Sequence, residues 1–454
     1  MTSSVVKPTI AARMNRLPIG RTHRLATVAV GLGLFFDLYE VFLAGVLSSV
    51  LVEEFHLSKA ETPILLASAF IGMFLGALIL GRLGDRLGRR RAFLLNLGIY
   101  SLFSFVGAFS PGPAMLVVTR FLAGIGIGAE PPLADTYLSD LLPARRRGAY
   151  IAWAYTFGFL GVPAAGFLAR GLVPLEPLGI AGWRWMFVFG AVGAVIVLFL
   201  RSSLPESPRW LESVGRTAEA EKVAERFENE ARATGAELAK PVADEPATPA
   251  GDQRIGVLFR PPYARRTWMM TVFHLLQTFG YYGFGTLVPL VLAAKGYPIV
   301  QSLLFSALTF LGYPIGSLIS LPLVERFERK YLVTVAVLAM GAFGLAFGYS
   351  GSAVLVLMFG FLYTVVSNVF SNAFHIYQAE IFPTALRSTA SSGTYALSRL
   401  STAAMPFILV PVLHAAGAGA MFIIVATAMV LVSLVVGLFG PRTTGRALET
   451  VNAR

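Results

Sequence analysis

The sequence predicts an all-α membrane protein: twelve transmembrane helices in two pseudo-symmetric bundles of six. Three observations predict it. The chain has 454 residues, 56% hydrophobic and only 14% charged, where soluble globular proteins carry about 25% charged residues. Runs apolar enough to cross a bilayer, about 20 residues each, recur twelve times. Finally, charged motifs repeat at one offset. Adding 240 to Asp85, Arg86 and Arg89 lands on Glu325, Arg326 and Arg329, and the same step takes Asp140-x-x-Pro143-x-x-x-Arg147 to Glu380-x-x-Pro383-x-x-x-Arg387. Two matches at one offset point to tandem duplication of a membrane-embedded half, an architecture associated with transport.

The spans fall near 24–51, 61–82, 92–110, 113–137, 149–171, 184–201, 266–294, 299–324, 331–350, 352–379, 388–413 and 418–440. The first six form an N-terminal bundle (1–201) and the last six a C-terminal bundle (266–454), split by a polar segment at 202–265. Within that segment, 217–233 reads as a charged surface helix, and 235–252, rich in Ala, Pro, Asp and Glu, as a flexible linker. The basic N-terminus precedes an apolar run with no small-residue cleavage site after it, so this run is expected to stay as a helix.

Charge sets the orientation. With an even number of spans both termini share one side. The opposite side holds only Lys59, Arg170, Arg184 and Lys295, while Arg120 and Arg399 fall inside spans; the rest of the 37 Lys and Arg lie with the termini and the long loop. That side is expected to be cytoplasmic, and the membrane to be a bacterial inner membrane. The net charge of +12 thus reads as membrane orientation rather than nucleic-acid binding. The absence of cysteine excludes disulfides, iron–sulfur centres and Cys-ligated zinc, and the five His show no metal-ligand spacing. There is no phosphate-cradling loop, nucleophile elbow or metal cluster, so no cofactor, metal or enzymatic chemistry is expected.

Ionisable groups at membrane depth cost roughly 2.5–3.5 kcal/mol on insertion scales and are functional candidates by default. Span 1 carries Asp37 and Glu40, span 4 carries Arg120, Glu130 and Asp135, and span 11 carries Arg399. At about 1.5 Å per residue, Asp37 lies roughly 20 Å from the cytoplasmic edge and Arg120 roughly 10 Å below the outer one. In a core about 30 Å thick these depths coincide. Asp37 opposite Arg120 is therefore the expected proton-coupling pair, with Glu40, one turn on, as substitute. Arg399 sits near the midplane, and span 11 holds no acid to neutralise it. It reads either as ligand to a carboxylate, which its planar fork suits, or as a salt bridge to another helix.

Polar residues with no reason to face lipid join it as candidate substrate contacts: His274 and Gln277 on one face of span 7, Asn368 and Asn372 on one face of span 10. The aromatics Trp153, Tyr155, Phe159, Tyr281 and Tyr282 suit a flat substrate, although an aromatic in a span more often faces lipid or core.

Gly81-x-Leu83-x-Asp85-x-x-Gly88-Arg89-Arg90, Arg120-x-x-x-Gly124-x-Gly126-x-Gly128 and Pro205-Glu206-Ser207-Pro208-Arg209-Trp210-Leu211 resemble the motifs of the Major Facilitator Superfamily. The likeness spans nearly the whole chain. The last two motifs resemble the branch with sugar porters, organic-ion transporters and bacterial niacin or aromatic-acid symporters. Asp140 stands where the family has Glu, and Ser388 where it has Gly. The resemblance implies two halves rocking about a central site. It also implies a cytoplasmic latch built from Asp85, Arg89, Asp140, Arg147, Glu206 and Arg209, with the repeat positions Glu325, Arg329, Glu380 and Arg387. Simple basic anchoring is the alternative for Arg90, Arg91, Arg145 and Arg146. Sugar porters place an Asp opposite the span 4 Arg. Organic anion transporters carry an Arg seven residues before a Pro, as Arg399 precedes Pro406, and a tyrosine pair like Tyr281-Tyr282.

The expected function is proton-coupled uptake of a small organic anion, such as the aromatic carboxylate nicotinate, by a monomer in the lipid bilayer. A sugar:proton symporter is the alternative, since the Pro205–Leu211 motif is shared with sugar porters. A drug-efflux antiporter and a non-transporting membrane sensor are further ones.

Overall fold

The computed structural model describes residues 8–241, 255–261, 263–382 and 384–444. All regular structure among them is helical. Eleven stretches are long and apolar enough to cross a membrane: Arg21–Val46, Glu61–Leu80, Arg89–Ala108, Pro113–Leu141, Ala144–Leu172, Gly182–Ser202, Ala264–Ala294, Ile299–Arg326, Arg329–Tyr349, Ala353–Gln378 and Ala396–Phe439. The last is two spans run together. Gly417 turns the chain with φ 81°, a conformation glycine adopts without steric cost. The spans therefore number twelve, called spans 1–12 below. The apolar run read at 24–51 divides: span 1 ends at Val46, and Ser48–Glu54 is a separate short helix.

Spans 4, 5 and 8 each break mid-membrane, at Ala129, Leu160 and Leu311. Proline is the cause. Pro131, Pro132, Pro163 and Pro314 lack the N–H that would bond Ile127, Gly128, Phe159 and Phe310, so the ladder lapses just before each.

Spans 2 and 4 pack backbone to backbone. A Cβ on Gly72 would lie 2.0 Å from the Phe121 carbonyl oxygen, and one on Gly124 would lie 2.2 Å from that of Ala69. The Gly-x-Gly-x-Gly run of span 4 is thus a packing surface that only glycine permits.

A second, smaller core covers the basic end of the first six spans. The charged helix read at 217–233 forms over Thr217–Ala233 and buries Ala220, Ala224, Phe227 and Ala231 along one face. A short N-terminal helix, Ile10–Asn15, buries Ile10 and Met14 in the same cluster. Burying each such Phe, Ile or Met contributes roughly 1.5–3 kcal/mol. Charges tie the layer down. Glu228 bridges Arg13 (2.9 Å) and Arg16 (2.6 Å), and Glu230 accepts the Thr22 backbone N–H at 2.9 Å, satisfying a free donor at the start of span 1. Most of the linker read at 235–252 lies outside the described residues.

Candidate functional site

A cavity of about 760 Å³ lies between the first six spans and the last six. Span 1 presents Leu34, Asp37, Leu38 and Val41 to it, at the three- and four-residue spacing of one helix face. Span 4 adds Pro131 and Asp135, span 5 Tyr155 and Phe159, span 7 Gln277, Tyr281 and Tyr282, span 10 Asn372, His375 and Gln378, and span 11 Arg399. The wall also includes Gly148, Val324 and Glu380, which carry the cavity to the end bearing the basic loops.

The other end is closed by aromatic rings from both halves. Phe42 stacks on Tyr282 at 6.2 Å and meets Tyr313 at 5.8 Å, and Phe159 stacks on Tyr313 at 6.4 Å. Beyond the rings the halves touch through backbone. A Cβ on Gly45 would lie 2.6 Å from the Thr286 Cα, and one on Gly166 would lie 2.7 Å from that of Ala307. The site is therefore reached from the basic end. Phe42 and Tyr313 were missed in the sequence, where aromatics in spans are too common to single out.

The expected pairing of Asp37 with Arg120 is not what forms. Arg120 donates through Nη1 to the Glu40 carboxylate and through Nη2 to the Glu40 backbone oxygen, at 2.7 Å. The Ser104 hydroxyl donates to the same carboxylate. Depth alone could not separate Asp37 from Glu40, because the two lie within one turn of each other on span 1. Asp37 lies on the cavity wall, and both its carboxylate oxygens are buried without a hydrogen bond.

A second buried ion pair escaped the sequence reading. Arg201, at the end of span 6, donates to Glu130 of span 4, and both are at most 2% exposed. Arg201 was grouped with the cytoplasmic loop charges; Glu130 inside span 4, needing a partner, was the available signal.

Arg399 is buried, and its Nη1 donates to the Tyr282 hydroxyl at 2.8 Å. Its guanidinium also lies over the Tyr282 ring at 5.1 Å, an arrangement that favours a cation. Gln277, Asn372, Tyr155, Phe159 and Tyr281 share the cavity with it. Three expected contacts do not reach the wall. Trp153 is 59% exposed and points away from Ile151, Ala152 and Tyr155, so it faces the surroundings of the bundle. His274 is fully buried behind the wall, hydrogen-bonded to Gln378 at 2.7 Å. Asn368 ties span 10 to span 8 by donating to the Tyr313 backbone oxygen at 2.6 Å.

At the basic end, the charged pairs among the described residues lie within one half each. Arg89 approaches Asp140 at 3.9 Å. Asp140 also accepts from the Ser207 hydroxyl at 2.7 Å, and its backbone oxygen accepts from Arg209 Nε at 3.1 Å. Among the described residues Glu206 pairs with backbone rather than with an arginine head group: it accepts the Arg90 N–H at 3.1 Å at the start of span 3, where the helix dipole favours an anion. Arg147 is partly buried within electrostatic reach of Asp140. In the second half Arg329 pairs with Glu380 at 3.3 Å, while Glu325 is exposed. The side chains of Asp85 and Arg387 lie outside the described residues.

The family model for sugar (and other) transporters matches residues 25–454. A putative metabolite transport protein of Bacillus subtilis, YyaJ, is 31% identical over 441 residues, 96% of each chain. The niacin transporter NiaP of Acinetobacter baylyi is 28% identical, covering 97% of this chain and 99% of its own. Among solved structures, the partially occluded inward-open xylose transporter XylE from E. coli superposes with a TM-score of 0.75 at 22% identity, over 94% of this chain and 99% of that one. This chain is a multi-pass membrane transporter, and it belongs to the sugar (and other) transporter family of the Major Facilitator Superfamily.

Proposed function

We propose that this protein takes up a small organic anion, an aromatic carboxylate such as nicotinate, coupled to protons by alternating access. The observation that carries the reading is Arg399. It is a buried guanidinium on the wall of a cavity that also presents aromatic rings, amides and aliphatic side chains. A planar fork of N–H donors matches a carboxylate, and Tyr155, Phe159, Tyr281 and Tyr282 offer faces for a ring. The similarity to a niacin transporter supports the same cargo class.

Asp37 is the proton carrier in this reading. It shares the cavity with Arg399, is nearly fully buried, and accepts no hydrogen bond. A carboxylate so placed costs several kcal/mol as an ion, so a proton and a cargo anion together leave the cavity cheaper to close than either alone. The basic end, with both termini, faces the cytoplasm of a bacterial inner membrane. The open state seen here is then the one that releases cargo inward, and the monomer suffices for the cycle.

Uptake of labelled nicotinate into proteoliposomes under an imposed proton gradient tests the reading. Accumulation that collapses with the gradient supports it. The sugar:proton reading keeps one specific support, the Pro205–Leu211 motif. Gradient-driven accumulation of a neutral sugar, undiminished in Arg399→Ala, would favour it instead.

A further inference from the structure

We propose that Arg201, not Arg120, is the arginine that answers the charge on Asp37, and that Glu130 is the carboxylate it holds while Asp37 carries a proton. The inference rests on the proton-coupled reading above and assigns its positioning residues.

Arg120 is committed elsewhere, to the carboxylate and backbone of Glu40. Arg201 lies along the face of span 1 that leads to Asp37. Its Nε donates to the Ala29 backbone oxygen and its Nη2 to that of Val30, each at 3.3 Å. A Cβ on Gly33 would sit 1.8 Å from Nη2. Gly33 is one helical turn before Asp37 and on the same face. Only a residue without a side chain leaves the guanidinium its place there. Phe93 covers it, 4.2 Å from ring centre to guanidinium carbon.

The charges then leave one proton's worth unbalanced. Glu40 with Arg120 and Glu130 with Arg201 are neutral pairs. Asp37 is the third acid of this buried group, and Glu130, Arg201 and Glu40 are the charges acting on it. On the cavity side it faces the same space as Asp135, His375 and Arg399. One proton on Asp37 makes the group neutral.

A second arrangement is built in. The Tyr100 hydroxyl and both Asp37 oxygens are buried without a hydrogen bond, and the Asn96 amide already lies beside the Glu130 carboxylate. Asn96 and Tyr100 are four residues apart on span 3, so they present one face. With Asp37 protonated, Arg201 stays on Glu130, as observed. With Asp37 ionised, Arg201 extends toward it, and Asn96, joined by the Tyr100 hydroxyl, keeps Glu130 solvated. The shift pulls span 6 against span 1, which connects loss of a proton to helix movement.

The test needs no cargo. An infrared titration of the purified full-length protein follows the carboxylic acid band that Asp37→Asn removes. In Glu130→Gln the guanidinium is released to Asp37, and the titration midpoint should fall by about one to three pH units, the effect of an opposite charge within 4–6 Å. In the neutral double variant Glu130→Gln/Arg201→Gln, which leaves no buried charge unpaired, the midpoint should lie above that of Glu130→Gln by a similar amount. The matching neutral pair Glu40→Gln/Arg120→Gln should move it by less than about half a unit. A midpoint that ignores Glu130 and Arg201, or follows the Glu40/Arg120 pair instead, overturns the assignment. Wild-type uptake insensitive to pH, beside the expected midpoint shifts, would instead sink the proton-coupled reading and leave the Arg201 assignment standing.

Discussion

Arg120 and Glu40 hold each other at two points in the buried interior of the first half: side chain to carboxylate, and Nη2 to the Glu40 backbone oxygen at 2.7 Å. Three residues earlier on the same helix, Asp37 touches no donor and lines the cavity. Two acids that look interchangeable in the sequence thus have different surroundings, one held by Arg120 and one bare on the cavity wall.

Glu40→Gln leaves the Arg120 guanidinium buried without its countercharge. A loss of about 3–5 kcal/mol is expected, seen as a large drop in thermal stability of the detergent-purified protein. Asp37→Asn removes no hydrogen bond. It should keep near wild-type stability and support exchange across an equilibrated membrane, while uphill accumulation disappears. Equal destabilisation by both, or concentrative uptake by Asp37→Asn, contradicts this division.

Arg399→Ala should weaken binding of an anionic cargo by about 2–5 kcal/mol, the range for truncating one partner of a buried charge pair. Arg399→Lys should restore only part of it, because an ammonium lacks the planar fork. Calorimetry with nicotinate and its amide separates the roles. The amide should bind wild type poorly and lose little more in Arg399→Ala, whereas equal losses for acid and amide would assign Arg399 to helix packing.

We propose that the basic-end clusters control the balance of states rather than the site. Asp140→Asn loses the charge that Arg89 approaches at 3.9 Å and that accepts from Ser207 at 2.7 Å. Initial uptake rates are expected to fall several-fold with equilibrium affinity changed less than about twofold. A matching fall in affinity would place Asp140 in the binding machinery.

Glu228 gives the N-terminal helix a pH limit. Burial pushes its carboxyl up, but hydrogen bonds from Arg13 and Arg16 outweigh this and hold it below the usual carboxylate range. The folded value is thus depressed relative to an unfolded one of about 4.3. The stabilisation is present above that value and lost as pH falls through the lower, folded one. The protection of the Ile10–Asn15 amides, their exchange rate relative to that of an unstructured amide at the same pH, should be flat from about pH 8 to 5 and fall only below about pH 4. In Glu228→Gln the protection should be lower from about pH 8 to 5 and converge with wild type in acid, and a wild-type transition near neutrality would refute this account.

The spans, their number and their division about a polar segment were legible in the sequence because a bilayer imposes length and apolarity on a helix locally. The charged helix at 217–233 was legible in its local composition, although the apolar face that it buries was not. The acids and arginines worth attention were also evident, since a charge at membrane depth demands explanation wherever it occurs. Partner choice was not. Whether Arg120 takes Asp37 or Glu40, whether Arg201 stands in the loop or reaches Glu130, and whether Trp153 faces cargo or lipid depend on helix rotation and on close approaches such as Gly33 to Arg201. Those rotations follow from packing between helices far apart in the chain, which no local pattern records. The same holds for the seal of Phe42, Tyr282 and Tyr313, whose closure of one end and opening of the other exist only once the two halves meet.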